Sequence, residues 1–274
     1  MLILFFIAPA SNAQVAEERA VISSDPSLTS EEMPSLQKFN LSFLAIFYGP
    51  SLKDPSRSQP NLSGDPDPDR PVNLRNFINL GYNLSDRLAI TGTVYGTLQP
   101  FLQQKLVIQD PFIRVSDNSL FNSGPFNLYA DFRVYFGVSS VSRQSDQYFG
   151  IQTVEVATFA IPDSHFSLGT YGAVRSNVFG KHGYGYDLEL YLGPHINYQV
   201  SPTVLATLLY EMRGAHVFGA KFGNMINDGT DLQPGLTWDV TPQLMLNPYL
   251  NVQTGGRVNL KTTTFGLLAN WNLF

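Results

Sequence analysis

The sequence predicts an all-β fold, namely a transmembrane, antiparallel, up-and-down β-barrel of about twelve strands. Two observations lead to this prediction. From residue 38 onward, short segments with apolar residues at every second position alternate with clusters of Gly, Pro, Asn, Asp and Ser, and a period of two is the strand period. Charged residues make up only 14% of the chain and aromatic residues 13%, a composition that excludes a disordered protein.

The first 37 residues read differently from the rest. Residues 1–13, MLILFFIAPASNA, predict a secretory signal peptide, because an apolar stretch precedes Ser11 and Ala13 at the spacing of a cleavage site. A buried N-terminal strand is the alternative. Residues 14–37 carry four Glu and little alternation, so they predict a flexible N-terminal leader on the periplasmic side.

The β-barrel is predicted to occupy residues 38–274. Mostly short connections, such as 201–202 and 241–242, fall at one end, and the longest, 50–70 and 214–228, fall at the other. Transmembrane barrels have short periplasmic turns and long external loops, so this asymmetry supports a barrel. An even strand count is expected because both termini are predicted to lie on the same side. The predicted strands are 38–49, 71–83, 87–98, 105–115, 125–138, 147–160, 165–175, 184–198, 203–213, 230–240, 243–253 and 262–274.

Some positions fit this assignment less well. The strand at 105–115 contains Asp110 and Pro111, and the connection 116–124 is long for a periplasmic turn. Three further prolines, Pro194, Pro234 and Pro248, fall inside predicted strands. Because proline cannot donate to the ladder and a closed barrel has no edge strand, we expect bulges or local slips there.

The segment 183–200, GYGYDLELYLGPHINYQV, separates into two faces. Its apolar face has tyrosines at both ends and aliphatic residues between them, the order expected when a strand crosses lipid. The same pattern recurs in the last strands. We therefore predict ten lipid-facing residues: Tyr184, Tyr186, Leu188, Leu190, Leu192, Tyr198, Leu236, Trp238, Leu267 and Trp271.

The opposite face of the strands carries the ionisable residues, which inside a membrane usually face the interior. They either line a channel or pair with one another in a lumen-filling network of salt bridges. Mixed signs with a slight acidic excess favour, at most, a weak preference for cations. The predicted pore-lining residues are Arg75, Asp131, Arg133, Glu155, Arg175, Asp187, Glu189, His195, Glu211, Arg213, Asp231 and Asp239.

Several function classes are disfavoured. The chain has no Cys and a net charge of -5, which argues against thiolate chemistry and against nucleic acid as a partner. The histidines lack metal-ligand spacing, so neither a metal nor a cofactor is expected. His165 and Ser167 share a strand face but lack an orienting Asn in the motif, and Asp187, Glu189 and His182 only loosely match a rim protease. We predict that the protein is not an enzyme.

The signal-like MLILFFIAPASNA, the alternating strands over most of the chain and the terminal Phe274 together resemble bacterial outer-membrane β-barrel proteins, porin-like ones among them. The resemblance implies the outer membrane of a Gram-negative bacterium, contact with its lipid, and recognition of the C-terminal strand ending in Phe274 by the barrel-assembly machinery. It also implies a porin-like channel for passive diffusion of small hydrophilic solutes. The alternatives are a non-conducting structural or adhesion barrel and a soluble periplasmic β-protein that binds an apolar ligand.

Overall fold

A computed structural model describes residues 38–61, 63–101, 105–256 and 258–273. The predicted signal peptide, the predicted leader and Phe274 lie outside the described residues. The described elements are β1 (Phe39–Ser51), β2 (Ser58–Pro60), β3 (Pro66–Pro71), β4 (Asn73–Asn83), β5 (Leu88–Gln99), β6 (Lys105–Ile108), β7 (Phe112–Ser123), β8 (Phe126–Phe136), α1 (Ser140–Gln144), β9 (Gln147–Ala160), β10 (Phe166–Phe179), β11 (Tyr186–Ser201), β12 (Val204–Val217), β13 (Met225–Thr241), β14 (Leu244–Gln253) and β15 (Thr263–Asn272).

The main sheet closes into a ring. Each strand from β7 to β15 pairs antiparallel with the next, β15 pairs with β1, β1 with β4, and β4 with β5. β6 and β7 both pair with β5 and together form one interrupted strand. The barrel therefore has twelve strands, as predicted. A separate hairpin of β2 and β3 lies in the first long loop.

The interrupted strand corrects one prediction. The segment 116–124 is not a long turn, because β7 continues to Ser123 and only residues 124–125 connect it to β8. The break lies instead at residues 109–111, where Pro111 has no N–H to donate. There the carboxylate of Asp110 accepts the Ser139 backbone N–H at 2.8 Å and the Ser142 hydroxyl, so it holds the short helix α1.

The strand prolines produce gaps in the ladder instead of bulges. Between β13 and β14, Leu232 pairs with Val252 and Gly235 with Tyr249, with Pro234 skipped and the register unchanged. The β11–β12 ladder likewise keeps its register across Pro194. The expected slips are absent at these described positions, because both neighbouring strands continue regularly on either side and hold the alignment.

The two surfaces of the barrel wall have opposite character. Cross-strand partners share a face, and this alternation puts most polar strand residues inside together with two apolar clusters, one around Tyr171 and Leu209 and one around Ile46 and Phe77. The outer wall exposes aliphatic side chains over most of its height. Near the end with the short turns it exposes aromatic side chains. This aromatic girdle consists of Tyr82, Phe159, Phe166, Tyr198, Trp238 and Trp271.

An apolar outer band bordered by aromatic residues is the surface of a barrel that spans a membrane. A water-soluble protein does not expose an apolar surface of this extent, so the soluble alternative is rejected. Closure has the same physical basis, since hydrocarbon offers no hydrogen-bonding groups and every strand edge must be paired. Among the described residues, no helix has the length and apolar character needed to span a membrane.

Candidate pore-lining wall

The structure places most of the twelve predicted pore-lining residues on the inner wall. Arg213 lies there with a side chain only 8% exposed, and Asp239 faces inward at the end with the short turns, where it is exposed. Eight further residues are buried on this wall: Arg75, Asp131, Arg133, Arg175, Glu189, His195, Glu211 and Asp231.

A first group of charges lies on β7 and β8. Arg133 donates to Asp131 through both Nε and Nη2, each at 2.8 Å, in a bidentate pair with fully buried side chains. The Tyr129 hydroxyl donates to the same carboxylate at 2.9 Å. These three residues share a face because they alternate along β8. Arg114 of β7 lies directly opposite Arg133 across the ladder, so this group contains two arginines and one carboxylate.

A second group of charged residues lies on β12 and β13 and, unlike the first, contains more acidic than basic side chains. Glu211 and Asp231 are directly opposite each other across the ladder. Arg213 donates to Asp231 at 2.7 Å, and its Nε is 3.3 Å from Glu211 Oε1, an ion contact without hydrogen-bond geometry. Tyr171 donates to the other Glu211 oxygen at 2.9 Å, reaching across Gly193 of β11. Two carboxylates therefore adjoin one arginine.

A third group on β10 and β11 is balanced in charge. Arg175 lies 3.8 Å from Glu189 and donates to Asn177 at 3.0 Å. Its guanidinium also stacks on the Tyr135 ring, 4.3 Å from the centroid, a favourable cation–π contact. Tyr191 donates to Glu189 at 2.8 Å.

The two unbalanced groups face each other. Between β8 and β12 lie the three strands β9 to β11, and on the other side five strands separate β13 from β7. The group of Arg114, Arg133 and Asp131 therefore looks across the barrel toward the group of Glu211, Asp231 and Arg213. Arg114 and Tyr171 were not predicted, although the alternation of Phe112, Arg114 and Ser116 indicates that Arg114 belongs to the inner face.

Two predicted residues are placed differently. Asp187 lies at a register shift near the long loops and hydrogen-bonds His216 at 2.6 Å, while His216 Nε2 lies 3.1 Å from the Lys221 carbonyl oxygen. Asp187 therefore anchors, through His216, the loop between β12 and β13 that contains Lys221. For Glu155 the prediction was wrong. Its neighbours Val154 and Val156 point inward and are buried, so its own side chain lies exposed on the outer wall.

The predicted lipid-facing residues lie on the outside. Tyr186, Leu188 and Leu267 are half-buried, and the other seven are exposed: Tyr184, Leu190, Leu192, Tyr198, Leu236, Trp238 and Trp271. His165 and Ser167 are the two residues compared above with a catalytic pair. The Ser167 hydroxyl accepts a hydrogen bond from Asn197 at 3.3 Å.

The chain is similar to solved outer-membrane proteins at low sequence identity. No family model and no curated protein matches the chain. The outer-membrane protein OmpT of Vibrio cholerae matches with 10% identity and a TM-score of 0.40, covering 88% of this chain and 100% of that one. The outer-membrane channel DcaP of Acinetobacter baumannii matches with 10% identity and a TM-score of 0.37, covering 86% of this chain and 96% of that one.

Proposed function

We propose that the protein is a narrow outer-membrane channel through which small hydrophilic solutes diffuse passively. The observation that carries this proposal is the pair of unbalanced charge groups that face each other across the barrel. Like charges directly opposite in a sheet are destabilising, and buried charges cost free energy that apolar side chains would not. Apolar side chains would fill the interior without this cost, so the charged groups of the inner wall support a path that guides polar solutes.

The size of the barrel fits this function. Eight strands enclose a space that side chains fill, whereas 16 to 18 strands leave a wide aqueous pore. Twelve strands fall between these limits. Arg213, Arg175 and Asp131 are held against the wall by bonds to neighbouring side chains, which supports a narrow passage of defined shape.

The proposal includes the location and the assembly route. A closed barrel with an apolar outer band is the architecture of bacterial outer membranes, so the partners are outer-membrane lipid and, during biogenesis, the barrel-assembly machinery. The C-terminal strand ending in Phe274 is the segment that this machinery would read. β15 closes the ring by pairing with both β14 and β1, so its recognition would precede closure.

A second candidate is a barrel that does not conduct and serves the architecture of the envelope or adhesion. The two apolar clusters of the inner wall favour it, because Tyr171, Leu209, Ile46 and Phe77 are fully or almost fully buried. If these clusters meet across the lumen, water is excluded and no solute passes.

Single-channel recording in planar bilayers separates the two candidates. The channel predicts discrete current steps from the purified, folded protein and, under a salt gradient, a reversal potential that changes when Asp231→Asn or Glu211→Gln removes a negative charge. Removing either charge reduces the relative permeability to cations. Folded protein that inserts into the bilayer without carrying current would refute the channel and support the second candidate.

A further inference from the structure

His216 joins the wall of the barrel to an external loop. It is the second-last residue of β12, and residues 218–224 form the loop that connects β12 to β13. Its Nδ1 atom lies 2.6 Å from Asp187 Oδ1 on β11, and its Nε2 atom lies 3.1 Å from the Lys221 carbonyl oxygen in the loop. The imidazole is enclosed between the strand and the loop, since only 9% of the side chain is exposed.

Both ring nitrogens of His216 face hydrogen-bond acceptors. A carboxylate and a backbone carbonyl only accept, and a neutral imidazole has a single N–H to donate. The imidazolium has two, so it alone satisfies both partners at once. After loss of one proton, the remaining N–H stays with the nearer, charged acceptor, Asp187, because a charge-assisted hydrogen bond is the stronger of the two. The Nε2 lone pair then faces the Lys221 carbonyl oxygen, and that contact is lost.

The tip of the loop has no second hydrogen bond to the wall among the described residues. The Phe218 N–H donates to the Gly185 carbonyl at 2.9 Å, at the base of the loop. The N–H groups of Ala220 and Asn224 donate to carbonyls of residues 217 and 221, within the β12–β13 connection itself. The contact between His216 and Lys221 is therefore the hydrogen bond that holds the tip to the barrel.

The remaining neighbours of the imidazole do not titrate. Across the two ladders His216 lies opposite Leu188 of β11 and Met225 of β13, and the Phe222 ring of the loop lies 6.3 Å from the imidazole. Within the described part of the chain, Asp187 is the ionisable side chain that forms an ion pair or hydrogen bond with His216. The protonation of this contact therefore depends on His216 and Asp187.

We propose that His216 is a pH-dependent latch, which holds the loop 218–224 against the external rim when the imidazole is protonated and releases its tip when the imidazole is neutral. The latch consists of Asp187, His216 and the Lys221 carbonyl group. It takes no part of the charged inner wall, so it operates equally in a channel and in a non-conducting barrel. Its test is therefore independent of the function proposed above.

The direction of the pH dependence follows from the number of bound protons. The latched loop binds one proton more than the released loop, so acid favours the latched form. His216 lies at the external rim, and its hydrogen bond to the Asp187 carboxylate raises its pKa above the ordinary value of 6.5. The latch is therefore complete below about pH 6.5 and is lost as the pH rises through the higher pKa of the latched state.

Electron paramagnetic resonance of a spin label on the loop tests the proposal, and the chain has no cysteine of its own. A nitroxide attached to Ala220→Cys, at an exposed position of the loop, should become more mobile as the pH is raised from 5 to 9 in lipid vesicles, with a midpoint above the ordinary histidine pKa of about 6.5. The same label on Ser63→Cys, in the first long loop, is the control and should not respond.

Two substitutions in the Ala220→Cys background assign the response to the latch. His216→Gln should abolish the pH dependence, whereas His182→Gln, at an exposed histidine of another external loop, should leave it intact. Asp187→Asn keeps the histidine and should move the midpoint to lower pH, because the imidazolium loses its carboxylate. Mobility that does not change with pH, a response that persists in His216→Gln, or an unchanged midpoint in Asp187→Asn would overturn the proposal. Heat-modifiable migration of each variant confirms that the barrel is folded.

Discussion

At the residue scale, the inner wall depends on side chains that lie flat over glycines of the neighbouring strand. The Tyr171 ring covers Gly193, and the Tyr249 ring covers Gly266, so closely that a Cβ at either glycine would overlap the ring. This close approach lets the Tyr171 hydroxyl reach Glu211 from two strands away. The glycines thus keep bulky rings along the wall and out of the lumen.

Gly193→Ala should therefore destabilise the barrel by about 1–3 kcal/mol, the usual range for overpacking. The added methyl group displaces the Tyr171 ring and breaks its hydrogen bond with Glu211. Equilibrium unfolding by urea in lipid vesicles measures the change. Gly172→Ala is the matched control, because the nearest atom to its Cβ would be 4.0 Å away, and it should unfold like the wild type.

Arg213 is the residue whose removal should have the largest electrostatic effect. Arg213→Met removes the cation that contacts both Glu211 and Asp231, and breaking a buried pair costs about 3–5 kcal/mol. We expect a lower midpoint of urea unfolding and, if the barrel conducts, higher relative permeability to cations. Arg87→Ala is the control, since that arginine is 54% exposed and exposed pairs contribute only about 0–1 kcal/mol. Equal destabilisation by both substitutions would contradict the assigned role of Arg213.

The sequence was sufficient to place most charged residues on the inner face, because their neighbours on the other face are aliphatic. It failed for Glu155 because β9 carries apolar residues on both faces, with Val154 and Val156 packed inside the barrel. Hydrophobic alternation cannot determine the orientation of such a strand. The register with β8 and β10 determines it, and the register depends on the whole ring.

At the element scale, the break between β6 and β7 is stabilised by α1. Asp110 is buried and accepts hydrogen bonds from the Ser139 backbone and the Ser142 hydroxyl, so the helix is fixed against the wall near the external opening. Ser139 caps α1 in turn, accepting from the Ser142 N–H at 3.1 Å.

Asp110→Ala should therefore loosen α1 without opening the barrel. The lost hydrogen bonds to a charged group contribute about 1.5–3 kcal/mol each. Hydrogen–deuterium exchange should become faster in residues 139–146 and stay unchanged in β9 and β10. Asp54→Ala, at an exposed position of the first long loop, is the control. Faster exchange throughout the barrel would show that Asp110 supports the whole wall instead.

Strand existence was predictable from alternation, but strand length was not. All twelve barrel strands were predicted, yet β12 continues to Val217 and β13 begins at Met225, so the loop between them is much shorter than the predicted 214–228. Near the external end the strands extend beyond the lipid. Their outward residues need not be apolar there, so the alternation that predicts a strand is weaker. The backbone ladder continues because Ala215 still pairs with Ile226 and His216 with Met225.

At the scale of the whole molecule, a cation introduced on the outer wall should be tolerated best near the rims. Leu192→Arg places a cation near the middle of β11 and should cost about 2–4 kcal/mol, whereas Val200→Arg, next to the short turn, should cost about 0–1 kcal/mol. Both native residues are exposed, so packing losses are similar. Unfolding in lipid vesicles measures both values. Similar costs at the two positions would mean that the membrane does not surround β11 as inferred.

The central claim is that the outer wall of the barrel faces lipid and that, as proposed above, its polar inner wall lines a passage open to water. The most direct measurement is thiol labelling in native outer membranes of two adjacent variants on β12, Thr207→Cys on the inner face and Leu208→Cys on the outer face. A water-soluble charged thiosulfonate should modify only the first, and a lipid-soluble maleimide should modify the second. Protection of the variant at position 207 from the water-soluble reagent, or labelling of the one at 208 by it, would contradict the claim.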